Sequence, residues 1–232
     1  MRDLDKSDWV LACQSLNEKG FARLPRLLSS DECNYFSGLY DEVGIYRNTI
    51  NMKRYRFGMG EYKYFSYPLP AALESMRKYL YQPLVPLANE WMQCLSVEKS
   101  FPSSHTDLIH QCQQAGQTRP TPLILKYEIG GFNTLHQDLY GDIYFPFQLV
   151  IVLRQEGKDF EGGEFVMTEQ VPRAQSIAHV VHANQGDAIV FTTNFRPAKG
   201  TRGYYRATMK HGISEVTSGE RFALGIIFHD AK

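Results

Sequence analysis

No two of the four cysteines, Cys13, Cys33, Cys94 and Cys112, stand at the CxxC spacing that zinc sites and redox dithiols use. Scattered singly, they predict neither a disulfide framework nor a thiolate metal site, and they suit buried thiols in a reducing compartment. Charge of one sign is also lacking. The 25 lysines and arginines balance 25 aspartates and glutamates, so attraction to a polyanion has to come from a local patch rather than the total field. No apolar run approaches the ~20 residues that cross a bilayer, and the opening MRDLDKSDWV is too charged for a secretory leader. These absences predict a cytoplasmic protein without a membrane segment. Internal repeats and low-complexity tracts are missing as well. What remains is 232 residues of ordinary globular composition, read as a single domain spanning 1–232.

The pattern changes near position 120. Lys6 to Lys19 places Trp9, Val10, Cys13 and Leu16 at helical spacing, with Gly20 as a left-handed stop. Ser29 followed by Glu32 is a capping box opening a second helix, whose stripe is Cys33, Phe36, Leu39, Tyr40 and Val43. Leu69 to Leu95 reads as two helices divided at Pro83, and Ser103 to Ala115 as a shorter one. From Pro122 onward, short apolar runs alternate with glycine, proline and asparagine clusters. Strands are expected at Leu123 to Ile129, Phe147 to Leu153, Glu164 to Thr168, Ala188 to Thr192 and Phe222 to Phe228. The expectation is a mainly β fold with N-terminal helices: mostly helical support and a basic, aromatic hairpin (46–65) over 1–120, then a jelly roll over 121–232 that closes two antiparallel sheets on a cleft.

In the HxD pair of His136 and Asp138, alternate residues of an extended segment point to one side, so both reach one ion while Gln137 faces away. Two imidazoles and one carboxylate on one face are the usual ligands of oxygenase iron(II), which leaves positions free for a co-substrate and dioxygen. A second histidine is therefore needed. Of the seven histidines, His211 has a basic residue suited to the distal carboxylate of 2-oxoglutarate: Arg221, ten positions on, across the turn-like Thr217-Ser218-Gly219. The matching position after His182 is Thr192, and His229 is too near the end to have one. His105, His110, His179, His182 and His229 read as surface or hydrogen-bonded core residues.

The pieces KYEIGGFNTLHQD (126–138), EGGEF (161–165), QGDAIVF (185–191) and HGISEVTSGERFALGIIF (211–228) together resemble the double-stranded β-helix core of the iron(II)- and 2-oxoglutarate-dependent oxygenases, in their prolyl-4-hydroxylase-like branch. With GEYKYFSYPLP (60–70), most of the chain resembles a bacterial, AlkB-related oxygenase family named for oxidative demethylation of alkylated DNA. The resemblance implies a cupin-like fold, iron(II) on His136, Asp138 and His211, and 2-oxoglutarate and dioxygen as co-substrates. It also implies that Arg221 and the Tyr127 hydroxyl hold 2-oxoglutarate, with Gln148 near a further polar contact. Gly162 and Gly163 read as a turn.

Two segments bear on the substrate. Arg47, Lys53, Arg54, Arg56 and Lys63 alternate with Tyr46, Tyr55, Phe57, Tyr62 and Tyr64, which offers cations for phosphates and rings for bases. Arg196, Lys199, Arg202, Arg206 and Lys210, with Tyr204 and Tyr205, precede His211 and are expected at the cleft mouth. Alkylated DNA or RNA is the expected partner, a flipped base the expected substrate. The same iron site also suits a hydroxylase of a protein side chain or small metabolite, and the bare fold would suit a non-catalytic cupin-like binding module.

Overall fold

The computed structural model describes residues 1–232. Its larger sheet has seven strands, all paired antiparallel, in the order Phe21–Leu24, Ala188–Thr192, Phe147–Val152, Arg221–Ile227, Leu123–Tyr127, Glu61–Phe65, Tyr46–Asn51. The smaller runs Ile177–Val181, Phe165–Gln170, Gly203–Ile213, Phe132–His136, Gly58–Met59, with Phe195–Gly200 also paired to Gly203–Ile213. Residues of both sheets share a buried cluster that includes Tyr127, Val150, Phe165, Met167, Ile213 and Ala223. The sheets therefore face each other as the layers of a double-stranded β-helix.

Alternation along the strands explains how the larger sheet is covered twice. Ile124, Leu149, Ile151, Val190, Leu224 and Ile226 point outward into a core shared with Leu73, Leu80, Leu87, Trp91 and Leu108 of the helices. Their neighbours point inward to the cleft. With both faces covered, Phe147–Val152 and Arg221–Ile227 are buried at every position, which is why they read as continuous apolar runs.

The helices are Lys6–Lys19, Ser30–Gly38, Ala71–Tyr81, Val85–Cys94 and His105–Gln114, besides the single turn Met52–Tyr55. Gly20 ends the first at φ 77°, and the Ser29 box caps the second. Two stripe assignments fail. Val10 lies about 100° around the helix from Trp9 and is exposed, its place on the buried face taken by Ala12. Val43 is 94% exposed, because the second helix tightens into a 3-10 turn at Leu39–Asp41 and ends before it. The first half also contributes strands: Phe21–Leu24 forms an edge of the larger sheet, and Tyr46–Asn51 with Glu61–Phe65 forms the hairpin at the opposite edge. No helix is long and apolar enough to cross a membrane.

Behind the larger sheet, Arg77 is buried, pairs with Asp230 at 2.8 Å and donates to the carbonyls of Ile227 and Phe228, fastening the C-terminal segment to Ala71–Tyr81. Two buried histidines lie beside it. The His105 ring is 2.8 Å from the Phe228 carbonyl, and His229 Nδ1 accepts from the Phe145 amide. Burial, then the Arg77 charge, lowers both to about 3. The unfolded chain therefore binds more protons between about 3 and 6.5, so stability is full above that window and lost as pH falls through it, at about 1.4 kcal/mol per pH unit from each histidine. Urea unfolding between pH 7 and 4 should show this slope, and His105→Gln should flatten it; a variant with an unchanged slope would exclude His105 as a cause.

Candidate metal centre and its cavity

The three ligand candidates are brought together by strand register. His211, on Gly203–Ile213, pairs directly with His136, the last residue of Phe132–His136, and Asp138 follows two positions later. The imidazole centroids lie 4.2 Å apart, and one donor atom from each of His136, Asp138 and His211 falls within 4.8 Å of the others. His136 Nδ1 is 2.7 Å from the Thr134 carbonyl. A carbonyl only accepts, so this nitrogen carries the proton and Nε2 presents a lone pair. That lone pair faces Asp138 Oδ1 at 3.6 Å, while His211 Nε2 lies 3.3 Å from Oδ2. The His136 lone pair set against a carboxylate is repelled unless a cation stands between them, so the donor set fits a divalent ion, and its two-nitrogen, one-oxygen chemistry fits iron(II).

Each Asp138 oxygen also accepts from outside the triad: Oδ1 from the Tyr140 hydroxyl at 2.6 Å and Oδ2 from Gln148 Nε2 at 2.9 Å. Burial alone would raise the Asp138 pKa. The hydrogen bond and charge of His211, then His136 and Tyr140, outweigh burial and hold the carboxyl well below the usual range. Burial likewise lowers the His211 pKa, against the pull of the Asp138 hydrogen bond and charge, which favours the neutral form that binds a metal. Its ring is packed by Phe165 and Phe191.

Arg221 and Tyr127 are cross-strand partners on the inner face of the larger sheet. Both are buried, and Arg221 Nη1 and the Tyr127 hydroxyl have no hydrogen-bond partner in the protein. Burial pushes the Tyr127 phenol up to about 12 against the neighbouring Arg221 charge, so it remains a donor. A buried guanidinium and phenol left unpaired are costly, and an anion accepting from both removes the cost. Gly162 and Gly163 form the expected turn, at φ 71° and 64°. A Cβ on Gly163 would stand 2.8 Å from Arg221 Cδ, so the second glycine also makes room for the arginine.

These groups line one cavity of about 250 Å³. Arg221, Ala223, Gly225 and Ile227 alternate along its floor, so four steps of roughly 3.3 Å each carry the strand from the arginine to Gly225. Gln148, expected near the co-substrate, also lines it, with its amide turned to donate to Asp138 Oδ2. Tyr140 was not legible in the sequence as a site residue: nothing in its spacing marks a hydroxyl that folds back two residues onto a carboxylate.

The far wall is aromatic. Phe57, Tyr62 and Tyr64 of the 46–65 segment reach the cavity, whereas two of its cations are used in the fold. Arg47 donates to the Pro120 carbonyl and covers the Tyr64 ring, and Lys63 donates to the Tyr40 carbonyl. Lys53, Arg54 and Arg56 remain exposed beside a stacked Tyr55–Phe57 pair. The 196–210 segment is placed otherwise than expected. Arg196 forms a two-point pair with Glu169, and none of Lys199, Arg202, Tyr204, Tyr205, Arg206 or Lys210 lines the cavity. Its residues lie in the paired strands Phe195–Gly200 and Gly203–Ile213 and the turn between them, which leads away from the end that carries His211.

A model of the Oxygenase-NA family, described as an oxygenase catalysing oxidative methylation of damaged DNA, matches residues 60–231. The uncharacterized proteins Rv2227 and MT2286 of Mycobacterium tuberculosis are each 46% identical over 167 residues, covering 72% of both chains. Among solved structures, a Pseudomonas putida prolyl-4-hydroxylase superposes with a TM-score of 0.59 at 13% identity, covering 97% of this chain and all of that one. A Trichoplax adhaerens prolyl hydroxylase, solved with a hypoxia inducible factor peptide fragment, gives 0.56 at 14%, covering 96% and 89%. With the family matched from the hairpin to the last strand and the fold shared with these hydroxylases, the chain belongs to the Oxygenase-NA family of oxygenases.

Proposed function

We propose that the protein is an iron(II)- and 2-oxoglutarate-dependent dioxygenase that oxidatively demethylates alkylated bases of DNA or RNA. The carrying observation is the unpartnered pair of Arg221 and Tyr127, buried at one end of the cavity that also holds His136, Asp138 and His211. That pair suits the distal carboxylate of a five-carbon diacid whose other end reaches the metal. Bound iron(II) would activate dioxygen, so that oxidation of 2-oxoglutarate to succinate and carbon dioxide delivers one oxygen atom to a C–H bond of the substrate.

The protein's own work is placement. His136, Asp138 and His211 hold one face of the ion, Gln148 orients the carboxylate, and the apolar cavity walls limit water. Phe57, Tyr62 and Tyr64 offer faces against which a flat base can stack, and Lys53, Arg54 and Arg56 lie where a phosphate backbone could follow the mouth. The family description supports a damaged-DNA substrate. An oxygenase adds oxygen, so its reaction on an N-methyl group is removal: the hydroxymethyl product collapses to the free base and formaldehyde. Likeness to prolyl hydroxylases supports a second reading, hydroxylation of a protein side chain.

His211→Ala should abolish both iron binding and succinate formation, and retention of either places the metal elsewhere. Arg221→Ala should raise the KM for 2-oxoglutarate roughly tenfold to a hundredfold, the worth of a charge-assisted bond in a dry site, with Arg221→Lys intermediate. Unchanged KM would remove Arg221 from the anion site. Methylated oligonucleotides should yield formaldehyde, with binding that weakens steeply with salt and a salt slope smaller by about one for each of Arg54 and Arg56 mutated to Ala. A product heavier by one oxygen with its methyl retained would favour the side-chain hydroxylase. Metal and 2-oxoglutarate binding without succinate, across methylated oligonucleotides and prolyl peptides, would favour a binding module.

A further inference from the structure

The hydroxyl of Tyr140 donates to Asp138 Oδ1 at 2.6 Å, and Tyr64 Oη lies 3.1 Å from Tyr140 Oη. The ionised carboxylate only accepts, so Tyr140 spends its single proton there. Its oxygen is then the acceptor for the Tyr64 proton, and the chain runs in one direction, Tyr64 to Tyr140 to Asp138. Tyr64 is itself held. Its ring is 7% exposed, packs with Leu123 and Ile227, and lies under the Arg47 guanidinium, 4.3 Å from the ring centroid. Arg47 is pinned in turn by the Pro120 carbonyl. The chain crosses from the strand Glu61–Phe65, which supplies the aromatic wall, to the loop after His136, which supplies the carboxylate.

We propose that Tyr140 and Tyr64 are positioning residues of the metal centre: two phenols in series fix the plane of the Asp138 carboxylate from the aromatic wall of the cavity. With Gln148 on the other oxygen, both outer sides of the carboxylate are tied before a metal arrives. Outer partners of this kind are commonly worth ten- to a hundredfold in metal affinity. The inference rests on the metal reading of His136, Asp138 and His211.

Cobalt(II) titration of the full chain, followed by visible d–d absorption, tests it without turnover. Tyr140→Phe keeps the ring and removes the donor; it should weaken Co(II) binding roughly tenfold to a hundredfold and alter the band shape, which reports ligand geometry. Tyr64→Phe should change both in the same direction by several-fold. Tyr46→Phe, which removes a hydroxyl bound to the Leu39 carbonyl from the same hairpin, should leave the spectrum unchanged. Should Tyr140→Phe not fold, Tyr64→Phe decides by the same criterion. Affinities within twofold of wild type and superimposable spectra for the tyrosine variants would overturn the positioning role and leave the metal site standing. Failure of wild type to bind Co(II) in a His211-dependent way would overturn the metal reading itself, and this inference with it.

Discussion

Two imidazoles and a carboxylate are held within 4.8 Å of one another, with the His136 lone pair repelled by Asp138 in the absence of a cation, and the rest of the molecule is arranged to hold them so. The arrangement depends on strand pairing. Because His211 pairs directly with His136, a one-residue slip would turn one ring to the opposite face and dissolve the site. Register in turn follows from burial: Met167, Met209 and Ile213 fill the inner face on either side of the histidine pair, and a slip would carry them out to solvent. The Thr134 carbonyl sets the tautomer of His136, and Tyr140 and Gln148 set the carboxylate.

The two sheets divide the labour. The smaller carries both histidines and leads directly to Asp138, while the larger presents Arg221, Tyr127 and Gln148. A bound diacid would bridge them, so its ordering would couple the layers. The wall opposite comes from neither half of the central barrel. It comes from the hairpin Tyr46–Asn51 and Glu61–Phe65, added at one edge of the larger sheet. The candidate metal ligands and the aromatic wall thus rest largely on different elements, joined where Tyr64 meets Tyr140, where the Phe57 carbonyl accepts from Thr134, and where Gly58–Met59 pairs with Phe132–His136.

What the sequence disclosed follows from where periodicity is strong. Strands buried on both faces, such as Phe147–Val152, announce themselves as apolar runs, and Ala188–Thr192 is found with its expected bounds. Phe132–His136 and Gly203–Ile213, which carry the histidines, do not stand out as apolar runs because one or both faces of each are open and their residues are polar; only the HxD alternation and the interval to Arg221 mark extended chain there. The histidines themselves were still legible, since HxD spacing and the interval from His211 to Arg221 express chemistry rather than burial. Tyr140 was not, because its role comes from a turn in the loop after Asp138 that leaves no repeat or motif. The 196–210 cations misled for a related reason. A cluster of charges shows that solvent is near and says nothing about which end of a strand faces the cleft, and Arg196 proved to be half of an ion pair with Glu169.

Balanced total charge narrows how such a protein can meet a polyanion. Without a net field, attraction has to come from cations not already neutralised or engaged, and in the 46–65 segment these are Lys53, Arg54 and Arg56, around the turn Met52–Tyr55. Arg47 and Lys63 lie over tyrosine rings and donate to carbonyls, so they hold the aromatic wall in place rather than present charge outward. Three cations beside a stacked Tyr55–Phe57 pair form a small patch, enough to guide a few phosphates and too small for tight binding that ignores sequence or damage. Selectivity would then fall to the cavity, where three aromatic side chains and the phenol chain to Asp138 meet whatever group enters.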